Sequence, residues 1–193
     1  MDHLKKIKQV FFQIHPQPEN DWTDFSDKLV LKRFRKGEFL IRDGQVENYI
    51  YFLNKGATRH YFIKDGKEFT VDFQFEGDFV TAYYSFITRE PSPIFIELLE
   101  DAETVAISYH SLNEFYSTHP NGEKVGRLIA ESQYVKRLRK EMDLLSLTAE
   151  ERYARLMKKN PGLVNTISVK HLSSYLGIQP ESLSRIRKLY LRN

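Results

Sequence analysis

The chain has 193 residues, of which 41% are hydrophobic, and it contains no cysteine. This length allows one sizeable core and a small second one, so we expect two domains. The lack of cysteine excludes disulfides, thiolate catalysis and cysteine-bound iron–sulfur clusters. No apolar run approaches the roughly 20 residues of a membrane-spanning helix, and the N-terminus lacks a signal-peptide pattern. The sequence therefore predicts a cytoplasmic protein.

The formal net charge of +3 conceals an uneven distribution. Residues 1–126 hold 15 Lys+Arg against 20 Asp+Glu, a net charge of −5, whereas residues 127–193 hold 14 against 6, a net charge of +8. A basic C-terminal segment of this kind favours an anionic partner, because neutralisation of phosphates supplies most of the non-specific affinity for nucleic acids.

The N-terminal part predicts two short helices followed by many short strands. Apolar residues recur at helical spacing over 4–14, a segment that His15-Pro16-Gln17-Pro18 closes, and a second helix is predicted over 21–28. From Leu29 to Ser108 the texture changes to short β-rich runs. Glycines punctuate these runs at Gly37, Gly44, Gly56, Gly66 and Gly77.

Two strands and one hairpin stand out in this β-rich region. The run Tyr49–Leu53 is typical of a buried strand, and aromatic or aliphatic residues alternate with polar ones over Phe69–Phe75. Asp65-Gly66 between two such runs predicts a type I′ hairpin, whose two central residues need positive φ. Short strands at regular spacing predict a jelly-roll-like β-barrel. Because helical segments precede and follow this β-rich region, the predicted overall fold class is α+β.

One long helix is predicted from Gly122 to Leu147. A narrow apolar stripe follows heptad spacing along it, interrupted at Glu131. Its members are Leu128, Val135, Leu138, Met142 and Leu145. The stripe could simply pack on the barrel, but it is narrower and longer than a small barrel covers. We therefore expect it to form the interface of a homodimer.

The C-terminal residues predict a short helix and then a helix-turn-helix. Thr148 opens the short helix with a capping-box pattern, and Asn160-Pro161-Gly162 stops it. In the stretch Ser168–Lys188, Gly177 stands where the first helix must turn, and Pro180 suits the first turn of the second. Ser173 is the small residue that the helix crossing requires. The apolar residues that face inward are Leu172, Leu176, Ile178, Leu183 and Ile186.

The second helix of this motif carries a polar face suited to DNA. With Leu183 and Ile186 inward, its polar side chains turn outward on the opposite side. The predicted DNA-binding residues are Lys170, Glu181, Ser182, Ser184, Arg185, Arg187 and Lys188. The alternative is an ordinary amphipathic helical hairpin with a solvated basic face. The coincidence of the motif with the basic segment favours DNA binding.

Several short blocks of the sequence, taken together and in their order along the chain, resemble the Crp/Fnr family of bacterial transcription regulators. The resemblance covers nearly the whole chain. The blocks are Lys36–Gly44, Ile50–Gly56, Asp65-Gly66, Glu76–Phe79 and Ser182–Arg187. The resemblance implies double-stranded DNA as partner, with RNA polymerase as a further one. It implies three segments: a cyclic-nucleotide-binding-like β-roll sensor over 1–120, a dimerisation helix over 121–147 and a helix-turn-helix domain over 148–193.

The resemblance also implies how DNA would be contacted. Glu181 is similar to the family's recognition glutamate, which accepts from cytosine N4, and Arg185 to its arginine, which donates to guanine O6 and N7. Lys188, Arg187 and Arg192 are expected to meet phosphates mostly. The β-hairpin wing that commonly follows the recognition helix in the family has no residues left here and is expected to be absent.

The sensor segment departs from the family at its phosphate-binding cassette. Aligned without gaps, Thr81-Ala82 stands where a Gly-Glu pair binds the ribose, and Ser92-Pro93 where an Arg-Ser pair binds the cyclic phosphate. A buried phosphate without a guanidinium partner carries a large desolvation cost, so we expect no cyclic nucleotide binding. Arg89 could substitute, although a loop arginine beside Glu90 is more often solvated. The effector remains unknown.

No other cofactor or catalytic site is predicted. His60 could serve as an axial haem ligand, but a strand histidine facing water or a carboxylate is the commoner case. No His-x-His plus Glu pattern indicates a metal-dependent cupin, and no catalytic constellation is present, so the protein is not expected to be an enzyme. The rival hypothesis is a small-molecule-binding β-roll protein whose helical tail is only a dimer or partner interface.

Overall fold

The computed structural model describes residues 3–14, 19–162 and 167–190. The predicted loop His15–Pro18 and the predicted phosphate contact Arg192 lie outside these ranges. In chain order the elements are α1 (Lys5–Ile14), α2 (Glu19–Ser26), β1 (Val30–Phe34), β2 (Phe39–Ile41), β3 (Tyr49–Lys55), β4 (Ala57–Lys64), β5 (Lys67–Phe75), β6 (Phe79–Val80), α3 (Tyr83–Thr88), β7 (Phe95–Leu98), β8 (Ala102–Ser108), α4 (Tyr109–Thr118), α5 (Gly122–Ser146), α6 (Ala149–Lys159), α7 (Val169–Leu176) and α8 (Pro180–Tyr190).

The eight strands form two antiparallel four-stranded sheets. The first sheet has the order β1-β8-β3-β6 and the second the order β2-β7-β4-β5. Apolar side chains of both sheets form one buried cluster, which includes Leu53 from the first and Ile96 and Leu98 from the second. Because side chains alternate along a strand, the opposite faces must be covered by other elements. The expected α+β class with an N-terminal β-roll is confirmed, as a two-sheet sandwich.

Helices cover the other face of the first sheet with an aromatic core. Phe11 of α1 packs against Trp22 and Phe25 of α2, and Phe25 in turn contacts Phe115 of α4 with ring centroids 5.4 Å apart. Phe52 of β3 belongs to the same buried cluster. The predicted N-terminal helices therefore cover the outer face of the first sheet.

The β4–β5 hairpin follows the local sequence signal. Asp65 and Gly66 have φ values of 52° and 71°, the positive values that a type I′ turn requires, and the strands pair from Lys64↔Lys67 back to Ala57↔Phe75. The prediction at Asp65-Gly66 is confirmed. β5 lies at the edge of its sheet, so one side of its backbone has no strand partner among the described residues.

The C-terminal helices form a further core that includes parts of the sandwich. Within the described ranges, this buried cluster combines Leu172, Leu176 and Leu183 with Phe73 and Leu99. The helices therefore pack against the second sheet. None of the helices in the described part of the chain is long and apolar enough to span a bilayer.

Candidate functional site

Helices α7 and α8 form a tightly joined pair. The hydroxyl of Ser168 accepts from the His171 N–H at the start of α7, and Gly177, at φ 66°, ends it. The N–H of Ile178 then donates to the Ser173 carbonyl at 3.0 Å. Ser173 is buried at the crossing, as its small size predicts. These local predictions for the helix pair are confirmed.

The outer face of α8 is polar and exposed. Glu181, Ser184, Arg185 and Lys188 are all exposed and follow the spacing i, i+3, i+4, i+7, so they share one side of the helix. Ser182 is exposed on the flank of this face. Together these five side chains are called the α8 face below.

Two predicted DNA-binding residues lie elsewhere. Arg187 is half-buried on the inner half of α8, and its Nε and Nη2 atoms are enclosed without a hydrogen-bond partner. Lys170 is exposed on α7, with its Nζ 3.6 Å from a carboxylate oxygen of Glu68 in β5. The structure therefore separates both from the α8 face.

Helix α7 covers the free edge of β5. The hydroxyl of Ser174 accepts from the Thr70 N–H at 2.9 Å and donates to the Glu68 carbonyl at 3.2 Å. The Tyr175 ring packs against that of Phe73 with centroids 5.3 Å apart. Because an uncovered sheet edge exposes unpaired backbone groups, this contact stabilises both the strand and the position of the helix.

A buried arginine lies in the sheet beside this contact. Arg59 of β4 is only 1% exposed; its Nε donates to the Thr70 hydroxyl at 2.9 Å and its Nη1 to Glu68 at 2.8 Å. Burial acts to raise the pKa of Glu68, but the hydrogen bond and charge of Arg59, together with the charges of Lys170 and His171, outweigh it and lower that pKa. Burial, reinforced by the Arg59 charge, lowers the pKa of His171 in α7. Sequence reasoning missed Arg59, since nothing in its local pattern marks it as buried.

Two of the four cassette side chains form hydrogen bonds within the chain, and the other two are apolar. The Thr81 hydroxyl donates to the Tyr49 carbonyl at 3.0 Å, and the buried Ser92 hydroxyl donates to the Ile94 carbonyl at 3.0 Å. The buried Ala82 has a methyl side chain, and position 93 is a proline. None of these four side chains carries a positive charge for a phosphate.

Arg89, the possible substitute, is held in another network. Its Nη1 donates to the Glu47 carbonyl and its Nη2 to the Asn48 side chain, both at 2.6 Å. Its guanidinium also lies 4.1 Å from the centre of the Tyr109 ring. Burial raises the pKa of the Glu47 carboxyl, although the backbone N–H groups of Tyr49, Ala82 and Asn48 oppose the shift. A phosphate contact by Arg89 would require these bonds to break.

Polar groups lie on the inner side of the second sheet where α5 passes. His60 pairs across from Ile96 and Asp72 and is buried, with its Nε2 enclosed without a partner. The Lys140 ammonium of α5 donates to Asp72 at 2.6 Å. Burial lowers the pKa of His60 to about 4. Within the described ranges, no group of His, Asp and Glu side chains is arranged to hold a metal ion.

The predicted stripe on α5 is largely uncovered in this single chain. Val135, Leu138, Met142 and Leu145 are exposed, Leu145 to 87%, whereas Leu128 is half-buried. Tyr134 is also exposed on this side, although the sequence prediction did not include it. The roll-facing side of α5 carries Lys140 instead.

Comparisons with known proteins match one segment of the chain to a family model and show which known structures share its fold. A family model described as the cyclic nucleotide-binding domain matches residues 31–119. The c-di-GMP-responsive global regulator CLP of Xanthomonas campestris has a TM-score of 0.67 and 19% identity, covering 91% of this chain and 92% of that chain. FixK2 from Bradyrhizobium japonicum has a TM-score of 0.66 and 21% identity, with 85% of each chain covered.

A transcriptional regulator from Eubacterium rectale assigned to the Crp/Fnr family is also similar. It has a TM-score of 0.68 and 15% identity, covering 91% of this chain and 84% of that chain. No curated protein matches the chain. At these identities, the structural likeness establishes a shared fold.

Proposed function

We propose that this chain is a homodimeric, sequence-specific DNA-binding regulator. The premise is that residues 31–119 match the model of the cyclic nucleotide-binding domain family and that the chain has the fold of Crp/Fnr regulators. Its effector pocket does not take cyclic nucleotides. The observation that carries this proposal is the α8 face: five exposed polar side chains on a helix whose opposite side is buried.

The α8 face has the chemistry that reads base edges. A guanidinium such as that of Arg185 donates two hydrogen bonds to guanine, and a carboxylate such as that of Glu181 accepts from cytosine N4. Both side chains are exposed near the start of α8, the part of a recognition helix that meets bases. Lys188 lies further along and is suited to a phosphate. Arg187 is assigned no DNA contact here, because its guanidinium points inward.

The exposed stripe on α5 supports the dimer. Isolated apolar residues on a surface are ordinary, but a stripe repeated along one side of a 25-residue helix is typical of a two-stranded interface. A two-fold dimer would present two α8 faces to half-sites about one helical turn, roughly 34 Å, apart. The operator is then expected to be a pseudo-palindrome.

The cassette supports the absence of cyclic nucleotide binding. A cyclic phosphate taken into a buried pocket needs a guanidinium or several donors to offset the loss of its hydration. The cassette side chains are bonded within the chain or apolar, and Arg89 is engaged with Glu47 and Asn48. The effector, if the pocket takes one, belongs to another chemical class.

The test is DNA binding by anisotropy, with operators selected from fragments of the source genome. Arg185→Ala should cost roughly 1 to 3 kcal/mol on the preferred site and relax the preference at one base pair. Lys188→Ala should weaken all sequences alike and reduce the salt slope by about one. Lys124→Ala, an exposed lysine at the start of α5, is the matched control for loss of one charge.

Two results would count against the proposal. Wild-type affinity of Arg185→Ala for the selected operator, at fixed salt, would refute the recognition assignment. No salt-dependent DNA affinity in the wild-type protein would favour the rival function, a small-molecule-binding β-roll whose helical tail is only an interface.

A further inference from the structure

The junction between the long helix and the C-terminal helices is short and closely bonded. Only Leu147 and Thr148 separate α5 from α6. The Thr148 N–H donates to the Glu151 carboxylate at 2.8 Å, and the Thr148 hydroxyl accepts from the Glu151 N–H, which completes a capping box. Arg155 of α6 also forms an ion pair with Asp143 of α5. This junction is called the elbow below.

One side chain joins the elbow to the end of α7. The Nη1 of Arg152 donates to the Leu147 carbonyl at 2.6 Å and to the Leu144 carbonyl at 3.3 Å. Its Nη2 donates to the Leu176 carbonyl at 2.8 Å. The last carbonyls of a helix lack partners within the helix and carry the negative end of its dipole. A single guanidinium therefore satisfies the C-terminal ends of both α5 and α7.

The end of α7 is also the start of the turn into α8. Leu176 is fully buried, and Gly177 follows it in the left-handed conformation that redirects the chain. A bond to the Leu176 carbonyl therefore fixes the turn that aims α8. Only an arginine can do this at both ends, because its planar fork holds several donors in fixed directions whereas a lysine is a point charge.

We propose that Arg152 is a positioning residue that fixes the direction of α8 relative to α5 and so sets the separation of the two α8 faces in the dimer. This inference rests on the proposed function. A dimer binds two half-sites tightly because the first contact presents the second helix at high effective concentration, which falls when the connection loosens. Arg152 itself needs no contact with DNA.

The experiment compares Arg152→Lys and Arg152→Gln with the wild-type protein. Lys158→Gln is the control, since Lys158 is an exposed basic residue of the same helix. Anisotropy titrations use the selected operator, a single half-site, and operators with one base pair added or removed between half-sites. We expect both Arg152 variants to keep half-site affinity, to lose about tenfold or more in the ratio of full-site to half-site affinity, and to tolerate altered spacing. The control should keep the wild-type ratio.

A second measurement needs no DNA. The chain has no cysteine, so Arg139→Cys on α5 and Leu189→Cys on α8 allow two spin labels to be placed at exposed positions. Labelled protein is mixed with excess unlabelled protein, so that a dimer rarely holds two labelled chains. Double electron–electron resonance then measures only the distance between the two labels of one chain. The distance distribution should be broader in both Arg152 variants than in wild type. An unchanged affinity ratio or an unchanged distance distribution overturns the proposal.

Folding and function are controlled separately. Should neither variant fold, as judged by circular dichroism, two glycines inserted between Leu147 and Thr148 loosen the same elbow with Arg152 retained. That insertion should broaden the distances and lower the affinity ratio, and wild-type values would overturn the inference. If the wild-type protein binds no DNA, the proposed function fails, while the spin-label distances still decide whether Arg152 positions α8.

Discussion

Replacement of His60 by glutamine should remove the acid sensitivity that its buried imidazole contributes to this fold. Burial lowers the pKa of His60 from 6.5 to about 4; Asp72 opposes the shift, whereas Lys140 and Arg137 reinforce it. Because the pKa is lower in the folded chain, the unfolded chain takes up the proton first as the pH falls. The contribution of neutral His60 to stability is therefore complete above pH 6.5 and is lost between pH 6.5 and about 4.

The size of the effect follows from that pKa. One pH unit within this window is worth about 1.4 kcal/mol, so moving from about pH 7.5 to about pH 5 should cost the wild type about 2 kcal/mol through this group alone. A domain is typically stable by about 5 to 15 kcal/mol, so the loss is measurable. His60→Gln has no such titration. The wild-type free energy of unfolding should fall relative to that of the variant by this amount.

The assay is equilibrium unfolding in guanidinium chloride at the two pH values. Any constant cost of the substitution cancels, because only the change with pH in the difference between wild type and variant is used. His110→Gln, which removes an exposed imidazole from α4, is the control for a histidine-to-glutamine change. If the difference between wild type and His60→Gln is the same at both pH values, the reasoning about the buried imidazole is refuted.

Three further predictions concern the interfaces and the pocket. Val135→Asp combined with Leu138→Asp should bury charges in the proposed dimer interface and give monomers by light scattering; a dimeric double variant would reject this interface. Arg59→Met removes the hydrogen bonds of the buried guanidinium to the Thr70 hydroxyl and to the partly exposed Glu68 carboxylate and should cost about 1 to 3 kcal/mol in chemical unfolding, whereas Arg33→Met, at an exposed ion pair, should cost less than about 1 kcal/mol. Equal losses of unfolding free energy in the two variants would contradict the conclusion that the buried guanidinium contributes more than the exposed one. Calorimetric titration with cyclic AMP or cyclic GMP should give no binding in the micromolar range, and a micromolar isotherm would contradict the assignment of the cassette.

The features that the sequence predicted well depend on residues close together in the chain. The turn at Asp65-Gly66, the capping box between Thr148 and Glu151, and the left-handed cap at Gly177 each involve interactions within about four positions. Residue type and spacing determine such interactions almost entirely. The α8 face belongs to this group, because the inward Leu183 fixes which side chains point outward. Arg187 differs from these residues. It follows the inward Ile186 by one position, a rotation of about 100° around the helix axis, and this places its side chain nearer the inner side than the α8 face.

The features that the sequence did not predict depend on pairs far apart in the chain. A strand arginine is normally exposed, so Arg59 carries no local sign of burial, and its burial depends on Glu68, on Thr70 and on coverage of the sheet. Lys140 appeared as one charge among many on α5, yet it meets Asp72 across 68 positions. Such contacts require the tertiary fold itself, and heptad spacing cannot specify them.

Strand β5 contacts both the long helix α5 and the helix pair α7–α8. Asp72 faces the inner side and receives Lys140 of α5, while Phe73, the next residue, faces the opposite side and packs against Tyr175 of α7. The alternation of side chains along a strand thus places the long helix and the helix pair on opposite faces of one strand. Since β5 is an edge strand, Ser174 also supplies the backbone partners that the sheet lacks. The helix pair therefore completes the second sheet, and the position of α7 depends on the same strand that holds α5.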